Sequence, residues 1–181
     1  MLVSLLAPII VSAVALFFAS FLSWMVIQLH KDDWKKLPAE DAILAALNPH
    51  EPPPGNYMFP TCENPKDQQS PEFQAKWAAG PRGVVTFFSN AGMGAKLGQT
   101  FVYFLIASFC LAYLATIVIP AGALFMHVFR FASTAAFLTF FSAIVPHAIW
   151  FKVRIVGHLI ESIAYAAIVG AIFAAMWPAA A

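Results

Sequence analysis

Residues 2–29 contain no charged side chain at all. A helix needs about 20 apolar residues to cross roughly 30 Å of hydrocarbon, so this run alone asks for a lipid solvent. Three further runs repeat the request. Residues 97–119 carry no charge, with Tyr103, Ser108, Cys110, Tyr113 and Thr116 among their mildly polar members; residues 121–146 are interrupted by His127 and Arg130; residues 155–177 carry His158 and Glu161 near their start. Composition points the same way: 61% of the chain is drawn from AVILMFWYC and 10% is charged, against about 45–50% and about 25% in soluble domains. Disorder, collagen, a coiled coil and a disulfide scaffold are excluded, and a net charge of +1 gives no general attraction to nucleic acid. The expected fold is all-α: a polytopic membrane protein, a four-helix bundle of transmembrane helices at 1–29, 97–119, 121–146 and 155–177, with a loop of short helices at 30–96.

Lys and Arg set the expected orientation. Lys31, Lys35, Lys36, Lys66, Lys76, Arg82 and Lys96 lie between spans one and two, and Lys152 and Arg154 between spans three and four. The opposite side carries no charged side chain, with Arg130 dissenting from within a span. By the positive-inside rule the loop is cytoplasmic and both termini are outside. The first run lacks a basic n-region and exceeds the roughly 7–15 residues of a signal-peptide core, so it is expected to stay as an anchor. Cys62 lies in the loop and Cys110 deep in span two, where they cannot easily meet; no disulfide is expected.

The loop reads as short pieces. Trp34 reads as an interfacial anchor. Pro38 and the acids Glu40 and Asp41 suit a helix N-terminus, and Ile43, Leu44 and Leu47 share a face, so a short amphipathic helix to about Asn48 is expected. Residues 49–65 are rich in proline, which argues against regular structure there. Within them Tyr57, Met58, Phe59 and Pro60 put large apolar side chains in an extended stretch, which suits contact with the loop helices, the membrane or a partner. Ser70-Pro71-Glu72 starts a second helix, with Phe73 and Trp77 at i, i+4 and Glu72 able to pair with Lys76. Residues 82–88 are too short to cross a bilayer and are expected at the interface, before a turn at 90–98.

Few positions can carry chemistry. Gly92-Met-Gly-Ala-Lys-Leu-Gly precedes a helix but matches neither the Walker nor the dinucleotide spacing; Lys96 there reads as a headgroup contact. His158 and Glu161, at i, i+3, share a face with Tyr165 one turn on. Glu161 lies about 9 Å inside the boundary, a depth at which a carboxylate must be paired, protonated or wetted. The group reads either as a site for a proton, quinone, ion or metal, or as a polar clasp between helices reached by Lys152, Arg154 or Lys96. His127 and Arg130 form a second i, i+3 pair near the other end of span three, and Arg130 either neutralises Glu161 or snorkels outward. A variant of span three, residues 131–151, leaves that pair at the interface but makes the 152–154 turn very tight. His30, His147 and His158 all fall near the same ends of their spans, so two could ligate a b-type haem. A zinc site from these residues lacks a paired ligand motif, and no metal or catalytic residue is assigned.

Small residues speak for packing. Ser162, Ala166, Gly170 and Ala174 form an unbroken small-xxx-small series in span four; Ala7, Ala15, Ala19 and Ser23 approximate one in span one, and Ala132, Ala136 and Ala143 in span three. Pro54-Gly-Asn-Tyr-Met-Phe-Pro, the Phe73-Gln-Ala-Lys-Trp helix and the spans that follow resemble a group of small, uncharacterised bacterial four-span inner-membrane proteins. The resemblance covers nearly the whole chain and implies an inner-membrane four-span fold, with no activity to transfer. The first functional expectation is therefore a non-enzymatic accessory or scaffold subunit associating with other membrane proteins or with its own copies. The second is a small binding or transport protein built on His158, Glu161 and Tyr165, for a proton, quinone or other apolar cofactor. A membrane-bound enzyme or haem protein comes third.

Overall fold

The structure, a computed structural model, describes residues 1–89 and 92–180. In chain order its elements are α1 (Leu6–Phe21), α2 (Glu40–Leu47), β1 (Gly55–Phe59), α3 (Pro71–Ala79), β2 (Gly83–Phe87), α4 (Met93–Val118), α5 (Phe125–Phe141), α6 (Ile144–Phe151) and α7 (Val156–Ala175). Two compact units result: residues 1–35 with those from Gly92 onward, and the segment from Lys36 that holds α2, α3 and the strands.

The first unit is the membrane bundle. Four helical stretches are long and apolar enough to span a bilayer: Val3–Val26, Met93–Val118, Phe125–Phe151 and Val156–Ala175. The second starts earlier than residue 97, because Gly92 adopts an extended N-cap conformation and helix begins at once. Of the turn expected at 90–98, residues 90 and 91 lie outside the described residues and Gly98 is helical. The third stretch differs most from expectation. It begins at Phe125, which keeps His127 and Arg130 inside the helix, and it runs on to Phe151 rather than ending at 146. It breaks at residues 142–143, where Pro146 has no N–H for the Ser142 carbonyl and its ring crowds that oxygen. The following turn is as tight as the 131–151 variant required, and Lys152 takes a left-handed conformation (φ 52°) to make it.

Small residues line much of the helix contact surface, and many large apolar ones face out. Ala13, Ala112, Ala115, Ala132, Ala136 and Ala166 are buried, whereas Phe18, Ile106, Ile117 and Ile163 are more than half exposed, the distribution that lipid around the bundle favours. α7 packs on α5 along its series of Ser162, Ala166, Gly170 and Ala174, all buried. A Cβ on Gly170 would come within 2.9 Å of the Ser133 Cβ and 3.0 Å of the Phe129 ring, so this glycine sets how closely the two helices approach. α1 packs on α4 and α7. Its buried face is Leu5, Ile9, Ser12, Ala13 and Leu16, not the expected small series: Ala7 is exposed and only Ser23 of that series is buried. In span three Ala132 and Ala136 are buried, and Ala143, at the break, is exposed.

The second unit corrects two expectations. β1 forms inside the proline-rich stretch, and it pairs antiparallel with β2, the stretch expected at the interface, from Gly55↔Phe87 to Phe59↔Gly83. The prolines flank the strand and leave its interior to Tyr57, Met58 and Phe59; Val84, Val85 and Thr86 supply β-branched partners. Across the pair, Thr86 Oγ1 donates to Asn56 Oδ1 at 2.8 Å and Tyr57 meets Phe87 edge to face at 5.6 Å. α3 starts as expected: Pro71 is at N1, the Ser70 hydroxyl accepts from Phe73 N at 3.2 Å, and Lys76 and Glu72 pair at 2.9 Å. Cys62 and Cys110 are free thiols.

Candidate functional site

The exit of α1 is built to turn a side chain back into the bundle. Residues Leu22–Val26 form a π-helical turn, with Ile27 N donating to Leu22 O (2.8 Å) and Leu29 N to Ser23 O (3.0 Å). Such wide turns occur frequently at functional sites. Gln28 then takes a left-handed conformation (φ 55°), and His30 folds back to stack on Trp24 with ring centroids 4.1 Å apart. The neighbouring helix start makes room. A Cβ on Gly157 would lie 3.1 Å from the Leu29 carbonyl oxygen and 3.2 Å from His30 Cε1. Arg154 pairs with Asp32 at 3.1 Å across the same junction, although both are exposed and the pair adds little stability.

This places His30, Asp33, His158, Glu161 and Tyr165 in one cluster at the loop-side end of α1 and α7. His30 Nδ1 lies 2.7 Å from Asp33 Oδ2. Tyr165 donates its hydroxyl to Glu161 Oε1 at 2.7 Å, and its ring is held edge-on by Phe104 and Phe140 at 5.7 and 5.3 Å. His158 lies with its ring centroid 4.5 Å from that of His30, and its Nε2 is 3.9 Å from Asp33 Oδ2. The side chain of His30 is 1% exposed, that of Asp33 9% and that of Glu161 11%.

The second nitrogen of the His30 ring stands outside these bonds. A carboxylate at 2.7 Å assigns a proton to His30 Nδ1, so Nε2 presents its lone pair unless a second proton is added. That atom is buried without a hydrogen-bond partner, and it faces Glu161 Oε2 at 3.4 Å. The contact is within reach of charge attraction, yet longer than the 2.7–2.9 Å of about every strong N–H···carboxylate bond. Glu161 Oε1 is already taken by Tyr165. With one proton on the His30 ring, two electron-rich atoms face each other at 3.4 Å in a largely buried cluster, an arrangement that costs free energy until a second proton or a cation lies between them.

The fold brings together three residues read as a group from the sequence, His158, Glu161 and Tyr165, and adds His30, which entered as a haem candidate and in a zinc set left unassigned. Asp33, Trp24 and Gly157 were not singled out. A signal was present: His30/Asp33 and His158/Glu161 repeat one i, i+3 spacing of imidazole and acid at two span ends expected on the same side. His147 stays apart, exposed on α6 against Phe151, and the His30 and His158 rings are too close for a macrocycle to lie between them. His127 and Arg130 are exposed near the start of α5. Gly170, level with Phe129, lies nine residues beyond Glu161, about 14 Å along α7, so Arg130 does not neutralise that acid; His30 faces it instead. An open recess of about 330 Å³ between α5 and α7, lined by Phe129, Ser133, Thr134, Phe137 and Ile163 among others, does not include the cluster. Among the described residues, His30, His158 and Glu161 can each offer one ligand atom, all within 4.8 Å of one another. No family model, no curated protein and no solved structure matches this chain.

Proposed function

We propose that the protein is a small membrane binding or transport protein whose ligand, a small cation, is held at the His30–Asp33–His158–Glu161 cluster. The observation that carries this reading is the buried His30 Nε2, without a hydrogen-bond partner and 3.4 Å from Glu161 Oε2. A ligand that binds only the folded protein raises its melting temperature. The test is a thermal scan of the protein in mild detergent with NaCl, KCl, MgCl2, CoCl2 and ZnCl2 at constant ionic strength. At least one cation stabilises the protein, and Glu161→Gln removes that response. A flat panel would overturn the reading.

The orientation that supports access to this site follows from the basic residues near the span ends: the loop side faces the cytoplasm of a bacterial cell, with both termini outside. Tags at the two ends, mapped by impermeant labelling of intact cells, test it.

A second reading, an accessory subunit of other membrane proteins, is supported by the hairpin. Tyr57, Met58 and Phe59 are 38%, 50% and 41% exposed, an apolar surface on a solvated unit. Native mass spectrometry of the protein drawn gently from its own membrane tests this reading; a strictly monomeric, partnerless particle counts against it.

A further inference from the structure

We infer that the cation is a divalent transition-metal ion of the zinc class, held by His30 Nε2, a ring nitrogen of His158 and Glu161 Oε2. This inference rests on the cation-binding reading above. Two imidazoles and one carboxylate are a recurring zinc set, with a fourth position left for water or a guest. With Zn–N near 2.0–2.1 Å and Zn–O near 2.0–2.2 Å, neighbouring ligand atoms of a tetrahedral site lie about 3.3–3.5 Å apart. The His30 Nε2–Glu161 Oε2 distance, 3.4 Å, is poor for a hydrogen bond and right for that edge. The longer separations, up to 4.8 Å, involve His158, the most exposed of the three side chains at 24%, so closing the site would require its ring to change rotamer.

The surrounding groups match what a metal asks of its outer shell. A ligating imidazole commonly donates its other N–H to a carboxylate, and a ligating carboxylate is itself hydrogen-bonded. His30 Nδ1 to Asp33 at 2.7 Å and Tyr165 to Glu161 Oε1 at 2.7 Å supply these two bonds. Charge agrees as well. One divalent ion balances the Asp33 and Glu161 carboxylates, whereas charging both imidazoles to do so sets two imidazolium rings with centroids 4.5 Å apart, which repel. Donor type sets the class. Magnesium and calcium take oxygen ligands, and two nitrogens in three favour zinc, cobalt, nickel or copper.

The test is a titration of the full chain in detergent, stripped with EDTA, with CoCl2 followed by ZnCl2. One Co2+ binds per chain with visible d–d absorption, is displaced by Zn2+, and is not displaced by MgCl2. Asp33→Asn, which removes only the outer carboxylate, weakens binding by about 10–100-fold; Glu161→Gln weakens it more, and His127→Ala not at all. Far-UV circular dichroism reports whether each variant is folded, and if Glu161→Gln is not, Asp33→Asn carries the test. Absence of stoichiometric Co2+, or an affinity unchanged in Asp33→Asn, overturns the inference. Stabilisation by NaCl or MgCl2 with none by CoCl2 or ZnCl2 overturns the metal alone and leaves the cation reading standing; no response to any of them overturns both.

Discussion

The two ends of the bundle are closed by different chemistry. At the end away from the loop, the Trp177 indole donates to Pro120 O at 2.9 Å and Gly122 N to Pro178 O at 2.8 Å, a clasp of neutral donors and backbone carbonyls. At the loop-side end the closure is made by His30, Asp33, His158, Glu161 and Tyr165, and a buried ring nitrogen is left facing a carboxylate oxygen. Both ends join segments distant in sequence. Hydrogen bonds between neutral groups are complete as they stand, so the first end needs nothing more. At the second, ionisable groups face one another, and their balance depends on protons or on a bound cation. That difference separates a structural clasp from a candidate site.

Substitutions at each end sharpen the contrast. The largest stability loss is expected from Gly122→Ala: the residue has φ +74° and its new Cβ would lie 2.8 Å from Ala180 Cβ. Backbone strain of this kind costs about 1–3 kcal/mol, read as a lower melting temperature with the cation response intact. Gly157→Ala does the opposite. Its methyl group would press on Leu29 O and His30 Cε1 at 3.1–3.2 Å and move the ring by tenths of an ångström. Cation affinity is expected to fall about tenfold, about 1.4 kcal/mol, with little change in unliganded stability; an unchanged affinity would separate His30 from the site. Trp177→Phe removes one indole bond and is expected to cost about 1 kcal/mol, again without effect on cation binding.

The smallest effect lies outside the bundle. The hydrogen bond from Lys76, with its charge, holds the Glu72 carboxyl below its ordinary value of 4.5. A lowered acid stabilises the folded state above its unfolded pKa, and that contribution is lost as pH falls through the folded value. Lys76→Ala should therefore return the Glu72 titration to about its ordinary midpoint, followed by carboxyl NMR, with no measurable change in stability at neutral pH, because water screens an exposed pair.

How far the chain could be read from its residues varied by region. The four spans were legible because the hydrophobic requirement of a bilayer acts on each helix separately and needs no partner. The hairpin was not: β1 sits among prolines, and a strand with no long alternation is recognised only by its partner, β2, which lies beyond α3. In the bundle, the small-residue face of α7 was legible from its period of four, while the face of α1 was misassigned because Leu5, Ile9 and Leu16 fill the interface where alanine was expected. Within the site, His158, Glu161 and Tyr165 were legible because one helix aligns them at i, i+3 and i+7. His30 and Asp33 were hidden in a charged exit segment that looks solvated; the π-turn and the left-handed Gln28 fold them back.

The residue order alone therefore determined the membrane solvent, the number of spans and the polar face of α7, all properties of single segments with their own free-energy requirement. Only the tertiary structure decided which groups meet that face. The contact of His30 with Glu161 depends on a wide helical turn, a missing side chain at Gly157 and the packing of α1 on α7, and no short stretch of sequence encodes a distance between two helices.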